Sequence, residues 1–318
     1  MENQANGLGK VNKKLTSVEK ATSTILNNIP VLSSYEEIVL NSLGKTLAKP
    51  VTALLSNPPS NVSSMDGYAL KNSDIDNGVL EFTVIDESVA GKSSSKTVAT
   101  MQTVRIFTGA KIPHGADRVI LQEDVKRLGN NLIKINKNKL ENNNFFIRKT
   151  GMDFKLGEKL IDKGEVLNTR NISLCVASGN SWVTIRRKPK IGIISTGNEL
   201  LKFGEIQNFK NNDKIISSNG IFLFNFINQL GGEAFILPTA KDDIKSLTNI
   251  LDEANDLDLI ISSGGASVGD YDIVQRALEK NNFELLFWRI AMRPGKPLFF
   301  GLLEKIPFLG LPGNPVST

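Results

Sequence analysis

Acidic residues follow three apolar runs in the second half of the sequence: Glu199, Asp242 or Asp243, and Asp272. If the runs are strands of one parallel sheet, these residues meet at the carboxyl edge, where such sheets bind ligands. Carboxylate oxygens are the ligands that Mg²⁺ prefers. We therefore predict that Glu199, Asp242 or Asp243, and Asp272 form a magnesium site that faces a polyphosphate. The alternative for each residue taken singly is a helix N-cap or a charge near a helix N-terminus.

A glycine-rich segment, GGASVGD at 264–270, lies between the third apolar run and a predicted helix. Glycine lets main-chain N–H groups approach an anion closely, and a helix N-terminus adds a favourable dipole. We predict that this segment binds phosphate oxygens. It has neither the lysine of a P-loop nor the spacing of a dinucleotide fingerprint, and a tight turn without a ligand is the alternative. The residues that would contact the ligand are Gly264, Gly265, Ser267 and Gly269.

Three basic residues, Arg289, Arg293 and Lys296, cluster after the next apolar run. Arginine presents a planar fork of donors to anionic oxygens, and lysine presents a point charge. Beside the glycine-rich segment, this cluster would complete an anion site. Taken alone, it would be an ordinary basic turn in contact with solvent.

The elements that must position these residues are strands that alternate with helices from residue 188 onward. Apolar runs at 191–195, 234–237 and 257–262 alternate with predicted helices at 219–230 and 243–254, and a third helix is expected at 272–280. This alternation is typical of a parallel sheet covered by helices. We predict an α/β fold in which residues 188–318 form a doubly wound, mostly parallel sheet domain.

The first half of the sequence predicts two further domains and a tail. Residues 57–148 contain short β-rich runs separated by Gly, Asn and Asp, which indicates a small, mostly-β domain. Residues 15–56 and 149–187 would form a linking domain of helices and extended segments. Residues 1–14 are polar, and we expect a disordered tail.

Three helices are predicted in the linking domain. Apolar residues at helical spacing from Leu15 to Ile25 indicate the first. Ser34 and Glu37 have the spacing of a capping box, which predicts a second helix that begins after Ser34 and ends near Gly44. A third helix is expected at 169–178, with Cys175 on its apolar face as a core residue.

The composition excludes several classes of protein. The chain has 318 residues, a net charge of +5, one cysteine and one histidine. A Cys/His zinc cluster, an internal disulfide and an iron–sulfur site are therefore excluded. No apolar run is long enough to span a membrane, and the N-terminus lacks the features of a signal peptide. The surplus positive charge is too widely spread along the chain to indicate a nucleic-acid-binding surface. We expect a protein of the reducing cytoplasm that binds neither nucleic acid nor membrane.

Seven segments together give the sequence a specific resemblance. In chain order they are SSMDGYA, FTGAKIPHGADRVI, IRKTGMDFKLGE, STGNEL, ISSGGASVGDYD, FWRIAMRPGKP and GLPGNPVS. The sequence from residue 15 to residue 318 resembles the molybdopterin molybdenumtransferase family, which includes MoeA and the E-domain of gephyrin. One departure is His114, which stands where many relatives have an acidic residue, so we expect that turn to have no catalytic role.

The resemblance implies an enzyme of molybdenum cofactor biosynthesis. Its substrates would be adenylylated molybdopterin and molybdate, AMP would be released, and Mg²⁺ would assist. The resemblance also implies a homodimer whose subunits share the site, with residues 15–56 and 149–187 as the dimerisation domain, and a contact with molybdopterin adenylyltransferase. The catalytic residues would be Asp66, Asp153, Glu199, Asp242 and Asp272, of which Glu199, Asp242 and Asp272 would hold the Mg²⁺. The residues that bind the cofactor would be Thr108, Thr196, Gly197, Ser218, Asn219, Gly264, Gly265, Ser267, Gly269, Arg289, Arg293, Lys296, Pro312, Gly313 and Asn314.

The last residues predict a helix start, because Asn314 is a suitable N-cap and Pro315 a suitable first residue. Relatives continue through that helix into another small β-barrel domain. We therefore expect a chain that is truncated at its C-terminus and lacks both. Two alternatives to the transferase stay open. One is a molybdopterin adenylyltransferase, which would use the same sheet domain, and the other is an inactive fragment or scaffold of the same family.

Overall fold

The structure, a computed structural model, describes residues 15–140, 144–201, 204, 213–240, 244–252, 254, 256–264, 278 and 282–318. Its helices are α1 Val18–Asn28, α2 Asn72–Asp76, α3 Thr169–Ala177, α4 Asn219–Gln229 and α5 Ile244–Asp252. Its strands are β1 Ser34–Ile38, β2 Val51–Thr52, β3 Val62–Ser63, β4 Gly67–Leu70, β5 Glu81–Ser88, β6 Gln102–Ile106, β7 Arg118–Leu121, β8 Val125–Arg127, β9 Leu132–Ile135, β10 Ile147–Arg148, β11 Lys159–Ile161, β12 Trp182–Arg186, β13 Lys190–Ser195, β14 Leu200–Leu201, β15 Ile215–Ile216, β16 Glu233–Ile236, β17 Leu259–Ser263, β18 Phe283–Trp288, β19 Phe299–Leu303 and β20 Ile306–Leu311.

The chain divides into two compact units. One, which we call the sheet unit, combines Arg186–Thr318 with the residues before Glu36, and the other, the middle unit, is Glu36–Ile185. The domain boundaries expected at residues 57 and 148 fall inside the middle unit and stay a prediction.

A six-stranded sheet forms the centre of the sheet unit, in the order β16-β13-β17-β20-β19-β18. The first four strands are parallel, whereas β19 is antiparallel to both of its neighbours. The prediction of a mostly parallel sheet covered by helices is therefore confirmed, with α4 packed against β13 and β16. The antiparallel end of the sheet holds an aromatic cluster, in which Phe299 stacks on Trp288 and Phe308 at centroid distances of 5.1 and 5.8 Å.

The N-terminal residues belong to the sheet unit. Thr16 forms a parallel bridge with Ile290, in which Thr16 N donates to Arg289 O at 3.1 Å and Ala291 N donates to Thr16 O at 2.7 Å. Helix α1 forms where a helix was predicted, but it begins at Val18 rather than Leu15, with the Ser17 hydroxyl accepting from Lys20 N. Its residue Ala21 is buried in one hydrophobic cluster with Phe287 and Ile290.

An ion pair joins the start of β13 to the segment before β17. The Arg187 guanidinium donates to both carboxylate oxygens of Asp258 at 2.5 Å, and Lys190 N donates to Asp258 Oδ2 at 2.8 Å. Burial raises the pKa of the Asp258 carboxyl, but the hydrogen bonds from Arg187 and Lys190 outweigh it, so the pKa lies below its ordinary value.

Replacing Asp258 with asparagine is expected to lower the free energy of unfolding at pH 7 by about 1–2 kcal/mol, because a charged hydrogen-bonding group is lost at a partly exposed pair. A carboxyl group whose pKa is lower in the folded than in the unfolded state stabilises the protein at pH values above its unfolded-state pKa. This contribution is lost as the pH falls through the folded-state pKa. Urea titrations of D258N and wild type should therefore converge as the pH falls through the lowered folded-state pKa of Asp258. The matched control is Asp256→Asn at an exposed neighbour, and an equal loss in that variant would contradict the assignment.

The middle unit contains a second six-stranded sheet, in the order β7-β4-β6-β5-β9-β8, and the two-stranded ladders β3-β10 and β2-β11. Tyr68, Phe82 and Ile133 are in the core of the six-stranded sheet. A separate core surrounds α3, whose capping box is formed by Asn168 and Asn171. Cys175 is fully buried there, as predicted, and burial raises the pKa of its thiol.

The prediction of a helix after Ser34 is wrong. Ser34–Ile38 is strand β1, which pairs with β12, and a single 3₁₀ turn follows at Val39–Asn41. The Glu37 carboxylate does not complete a capping box; it accepts from Lys45 Nζ at 2.7 Å and from Ile38 N at 3.2 Å. The β-branched pair Ile38-Val39 favours extended backbone, and pairing with another strand outweighs a local capping signal.

Within the residues that the structure describes, no helix has both the length and the apolar character needed to span a membrane.

Candidate functional site

A cavity of about 450 Å³ lies at the carboxyl ends of three adjacent parallel strands of the sheet unit. Ser195 at the end of β13 is in register with Ser263 at the end of β17, and Ser263 is in register with Leu311 of β20. The three strands therefore end at the same level, and the loops that follow them surround one space. This is the place where open α/β sheets bind ligands.

Asn219, the first residue of α4, connects the walls of the cavity. Its Nδ2 donates to Ser263 Oγ at 2.8 Å, to Gly313 O at 3.0 Å and to Thr318 Oγ1 at 3.1 Å. One side chain thus joins the helix start, the end of β17 and the loop after β20. The position of the two loops relative to the helix depends on this amide.

Two strand ends approach each other too closely for a side chain at Gly264. Its φ is +99°, and a Cβ atom would lie 2.7 Å from both the carbonyl oxygen and Oγ1 of Thr196. A Cβ on Gly313 would be 3.3 Å from Gly264 Cα. Glycine at 264 is therefore required by both conformation and space.

Glu199 carries the one charged side chain among the described residues that line the cavity. Its carboxylate packs against Gly197, where a Cβ atom would lie 2.5 Å from Glu199 Oε2. The main-chain oxygen of Glu199 accepts from Ile215 N at 2.9 Å at the start of the small β14-β15 ladder. This arrangement fixes the backbone that presents the carboxylate at the cavity wall.

The other polar groups at the cavity are neutral donors and acceptors. Ser217 Oγ donates to Ser195 Oγ at 3.3 Å, and the Ser218 side chain makes no capping bond at the start of α4. The helix N-terminus therefore faces the cavity with main-chain N–H groups, which favour an anion. The described lining suits a phosphate-bearing or oxyanion ligand with a cation held near Glu199.

The structure brings together nine of the residues predicted to bind substrate or metal. They line the cavity as a group: Thr196, Gly197, Glu199, Ser218, Asn219, Gly264, Pro312, Gly313 and Asn314. Asn314 makes the side-chain bond expected of an N-cap, because its Oδ1 accepts from Val316 N at 3.1 Å, but residues 315–317 form a turn and the helix itself stays a prediction.

The basic segment lies beside the cavity, which it lines through Pro297. Arg293 and Lys296 are exposed, and Arg289 has a left-handed backbone with φ of +65°. The buried Nε of Arg289 has no hydrogen-bond partner among the described residues. None of the three basic side chains lines the described part of the cavity, so their contact with a ligand stays a prediction.

Asp66 and Thr108 meet in the middle unit. The Asp66 carboxylate accepts from Thr108 N at 2.7 Å and from Thr108 Oγ1 at 2.8 Å. These two hydrogen bonds are the main reason why the pKa of Asp66 lies below its ordinary value, with a smaller effect from the charge of Arg105. Asp66 is therefore a partly exposed carboxylate in a fixed orientation.

Asp153 lies in the same unit, close in sequence to β10, which pairs with β3. Its two carboxylate oxygens accept from one nitrogen of Arg148, at 2.9 and 2.7 Å. Its main-chain N–H donates to Asn57 O at 2.9 Å. Asp153 is thus held by an ion pair at the surface.

Several predicted site residues lie outside the described residues: Asp242, Asp272, Gly265, Ser267 and Gly269. The helix predicted at 272–280 also lies there, apart from residue 278. Among the residues that are described, no three His, Cys, Asp or Glu side chains are close enough together to hold a metal ion. The magnesium site of Glu199, Asp242 and Asp272 therefore stays a prediction.

Sequence reasoning did not select Ser195, Ser217 or Ser263 as site residues, although all three line the cavity. The signal that could have found Ser195 and Ser263 is a hydroxyl residue at the end of a continuous apolar strand, with a ligand loop directly after it. Ser217 belongs to a short segment without a clear pattern, and only the fold brings it to the cavity.

Comparison with known families gives a match over most of the chain. Residues 16–179 match the family described as "MoeA N-terminal region (domain I and II)". Residues 192–318 match the family described as "Probable molybdopterin binding domain". The two matches correspond to most of the middle unit and most of the sheet unit.

Individual relatives agree with these matches. A molybdopterin molybdenumtransferase from Nostoc sp. is 32% identical over 96% of this chain and 71% of its own length, and one from Haemophilus influenzae is 33% identical over 96% and 74%. A crystal structure of the molybdopterin biosynthesis MoeA protein from Pyrococcus horikosii aligns with a TM-score of 0.82 at 32% identity, covering 96% of this chain and 76% of that chain. The chain belongs to the MoeA family of molybdopterin molybdenumtransferases.

Proposed function

We propose that this chain inserts molybdenum into molybdopterin, using adenylylated molybdopterin and molybdate as substrates and releasing AMP. Family membership over both units supports the proposal. The observation that carries it is the cavity at three strand ends, because its size and the hydroxyl, amide and carboxylate groups in its lining suit a nucleotide-phosphate ligand.

Each group at the cavity has a part in the proposed reaction. The loop that begins at Gly264 and the start of α4 donate main-chain hydrogen bonds to phosphate oxygens. Asn219 keeps the two loops at a fixed distance, which holds the bound phosphate in one orientation. The carboxylate of Glu199 fits a hard cation, and we propose Mg²⁺ there with Asp242 and Asp272. When bound, Mg²⁺ offsets the negative charge that develops as the phosphoanhydride is cleaved.

The activity is tested by AMP release. Purified chain is incubated with adenylylated molybdopterin, Mg²⁺ and molybdate, AMP is measured by chromatography, and cofactor is measured by activation of a molybdoenzyme lacking it. Molybdate-dependent AMP release with cofactor formation is the expected result. Consumption of ATP with free molybdopterin would instead indicate an adenylyltransferase, which the match of residues 16–179 disfavours. Absence of both activities would indicate an inactive fragment or scaffold.

We further propose that the chain acts as a homodimer in the cytoplasm. Six apolar side chains of the middle unit are exposed by 41–74% of their area: Leu40, Leu43, Leu54, Leu55, Val176 and Trp182. Main-chain bonds from Val39 N to Ser181 O and from Leu54 N to Ser178 O bring their segments together. This apolar patch would be buried by the same patch of a second copy, since a two-fold interface uses one surface twice.

Replacing Trp182 with glutamate is expected to convert the dimer to a monomer, because a charge would be buried within the patch at the interface. Sedimentation velocity of the purified chain measures the change. The matched control is Leu128→Glu, at an exposed apolar residue outside the patch. A dimer that persists in W182E, or one that dissociates equally in L128E, would contradict this interface. Addition of molybdopterin adenylyltransferase to the same experiment tests the proposed contact between the two proteins.

A further inference from the structure

Arg105 occupies a central position in the sheet of the middle unit. It lies in β6, which is flanked by β4 and β5, and its register partner on β4 is Tyr68. We propose that Arg105 is a positioning residue that holds Asp66 and Thr108 together for the reaction. This inference rests on the proposed function for the role of Asp66, and it rests on geometry for the role of Arg105.

The guanidinium of Arg105 contacts the neighbours of both residues. Arg105 Nη1 donates to the carbonyl oxygen of Gly67, the residue after Asp66, at 3.0 Å. Its central carbon lies 4.8 Å from the ring centroid of Phe107, the residue before Thr108. One planar group therefore fixes the chain on each side of the Asp66–Thr108 hydrogen bonds.

A third contact reaches Asp66 by another route. Arg105 Nη2 donates to Gln122 Oε1, and Gln122 N donates to the main-chain oxygen of Asp66 at 3.2 Å. The guanidinium also lies over the ring of Tyr68, with its carbon 4.9 Å from the centroid. Arginine alone can stack on two aromatic rings and donate to two acceptors with one rigid group, whereas lysine offers a single point charge.

Space around this network is limited. A Cβ atom on Gly67 would lie 2.0 Å from Ile120 O of β7, so the chain after Asp66 is pressed against the neighbouring strand. A larger side chain at position 67 would therefore not fit, and it could not contact the Asp66 carboxylate from the side of β7. The Arg105 network and the two bonds from Thr108 therefore set its orientation.

The test uses Arg105→Met, which removes charge and donors, and Arg105→Lys, which keeps the charge. Both variants are expected to lower kcat for AMP release by about 10–100-fold with a smaller change in KM, the usual cost of losing a group that orients a reacting residue. The matched control is Arg127→Met. Arg127 Nε donates to the Tyr68 hydroxyl at 3.1 Å, so it shares the Tyr68 contact but not the contacts to Gly67 and Gln122. A kcat within twofold of wild type in R105M, or an equal loss in R127M, would overturn the proposal.

A second measurement separates this inference from the proposed function. The chemical shift of the Thr108 amide proton depends on its hydrogen bond to the Asp66 carboxylate. Nuclear magnetic resonance measures this chemical shift as a function of pH and so follows the titration of Asp66. In R105M the shift is expected to change and the titration to move to higher pH, and in R105K the titration is expected to move less. An unchanged Thr108 amide in folded R105M would overturn the inference, even if wild type released no AMP.

Discussion

Replacing Gly264 with alanine is expected to reduce the rate of AMP release by about 100-fold or more, since displacements near 1 Å at a reacting centre have effects of this size. The added Cβ would lie 2.7 Å from two oxygen atoms of Thr196, one of them in the main chain. The ends of β13 and β17 would have to separate, which changes the cavity at the point where phosphate is expected. The measurement is kcat/KM for AMP release, together with the circular dichroism spectrum as a check of folding.

The matched control is Gly231→Ala in the same unit. Gly231 also has a left-handed backbone, with φ of +91°, but a Cβ atom there would have no neighbour within 4 Å among the described residues. Both substitutions have a similar backbone cost of about 1–3 kcal/mol, and only the one at Gly264 changes the cavity. Equal activity in the two variants would show that the close approach of Gly264 to Thr196 has no part in substrate binding.

Replacing Glu199 with glutamine is expected to lower AMP release by about 10²–10³-fold, the typical effect of removing one preorganised electrostatic group from an active site. Glutamine has nearly the same size and keeps the packing against Gly197, so the fold should stay intact. The charge that would hold Mg²⁺ is lost. The rate is measured over a range of Mg²⁺ concentrations, and a higher Mg²⁺ requirement is expected in the variant.

The control for this variant is Glu284→Gln on β18, an exposed glutamate that does not line the cavity. It should release AMP at the wild-type rate. Near-normal activity of E199Q at every Mg²⁺ concentration would remove Glu199 from the proposed site. Thermal unfolding of both variants distinguishes a catalytic loss from a loss of folded protein.

Local patterns predicted the sheet unit well. The strand at 191–195 and the helix at 219–230 appear with shifts of one residue at an end, because continuous apolar runs and helical periodicity are strong signals over such lengths. The capping-box pattern at Ser34 and Glu37 failed, since it has only two residues and β12, far away in the sequence, provides a competing strand partner.

The sequence predicted the parts of the site whose functional residues lie together in one loop. Gly264, Glu199 and the segment 312–314 each stand in a short motif after an apolar run, and the structure places them around one cavity. The family resemblance selected Asp66 and Thr108 separately, but their pairing was not predicted, because no spacing rule joins two such distant residues. Arg105 was missed, because a single arginine in a β-strand resembles any other solvent-facing residue until its stacking partners are known.

The bridge between Thr16 and Ile290 has a consequence for synthesis of the chain on the ribosome. The main-chain partners of Thr16 are residues 289–291, which are synthesised much later than Thr16. At a translation rate of about 5–20 residues per second, the delay is on the order of tens of seconds. The middle unit is complete in sequence well before that time. Helix α1 is therefore the first described element of its unit to be translated, yet it cannot pack against Phe287 and Ile290 until those residues have emerged.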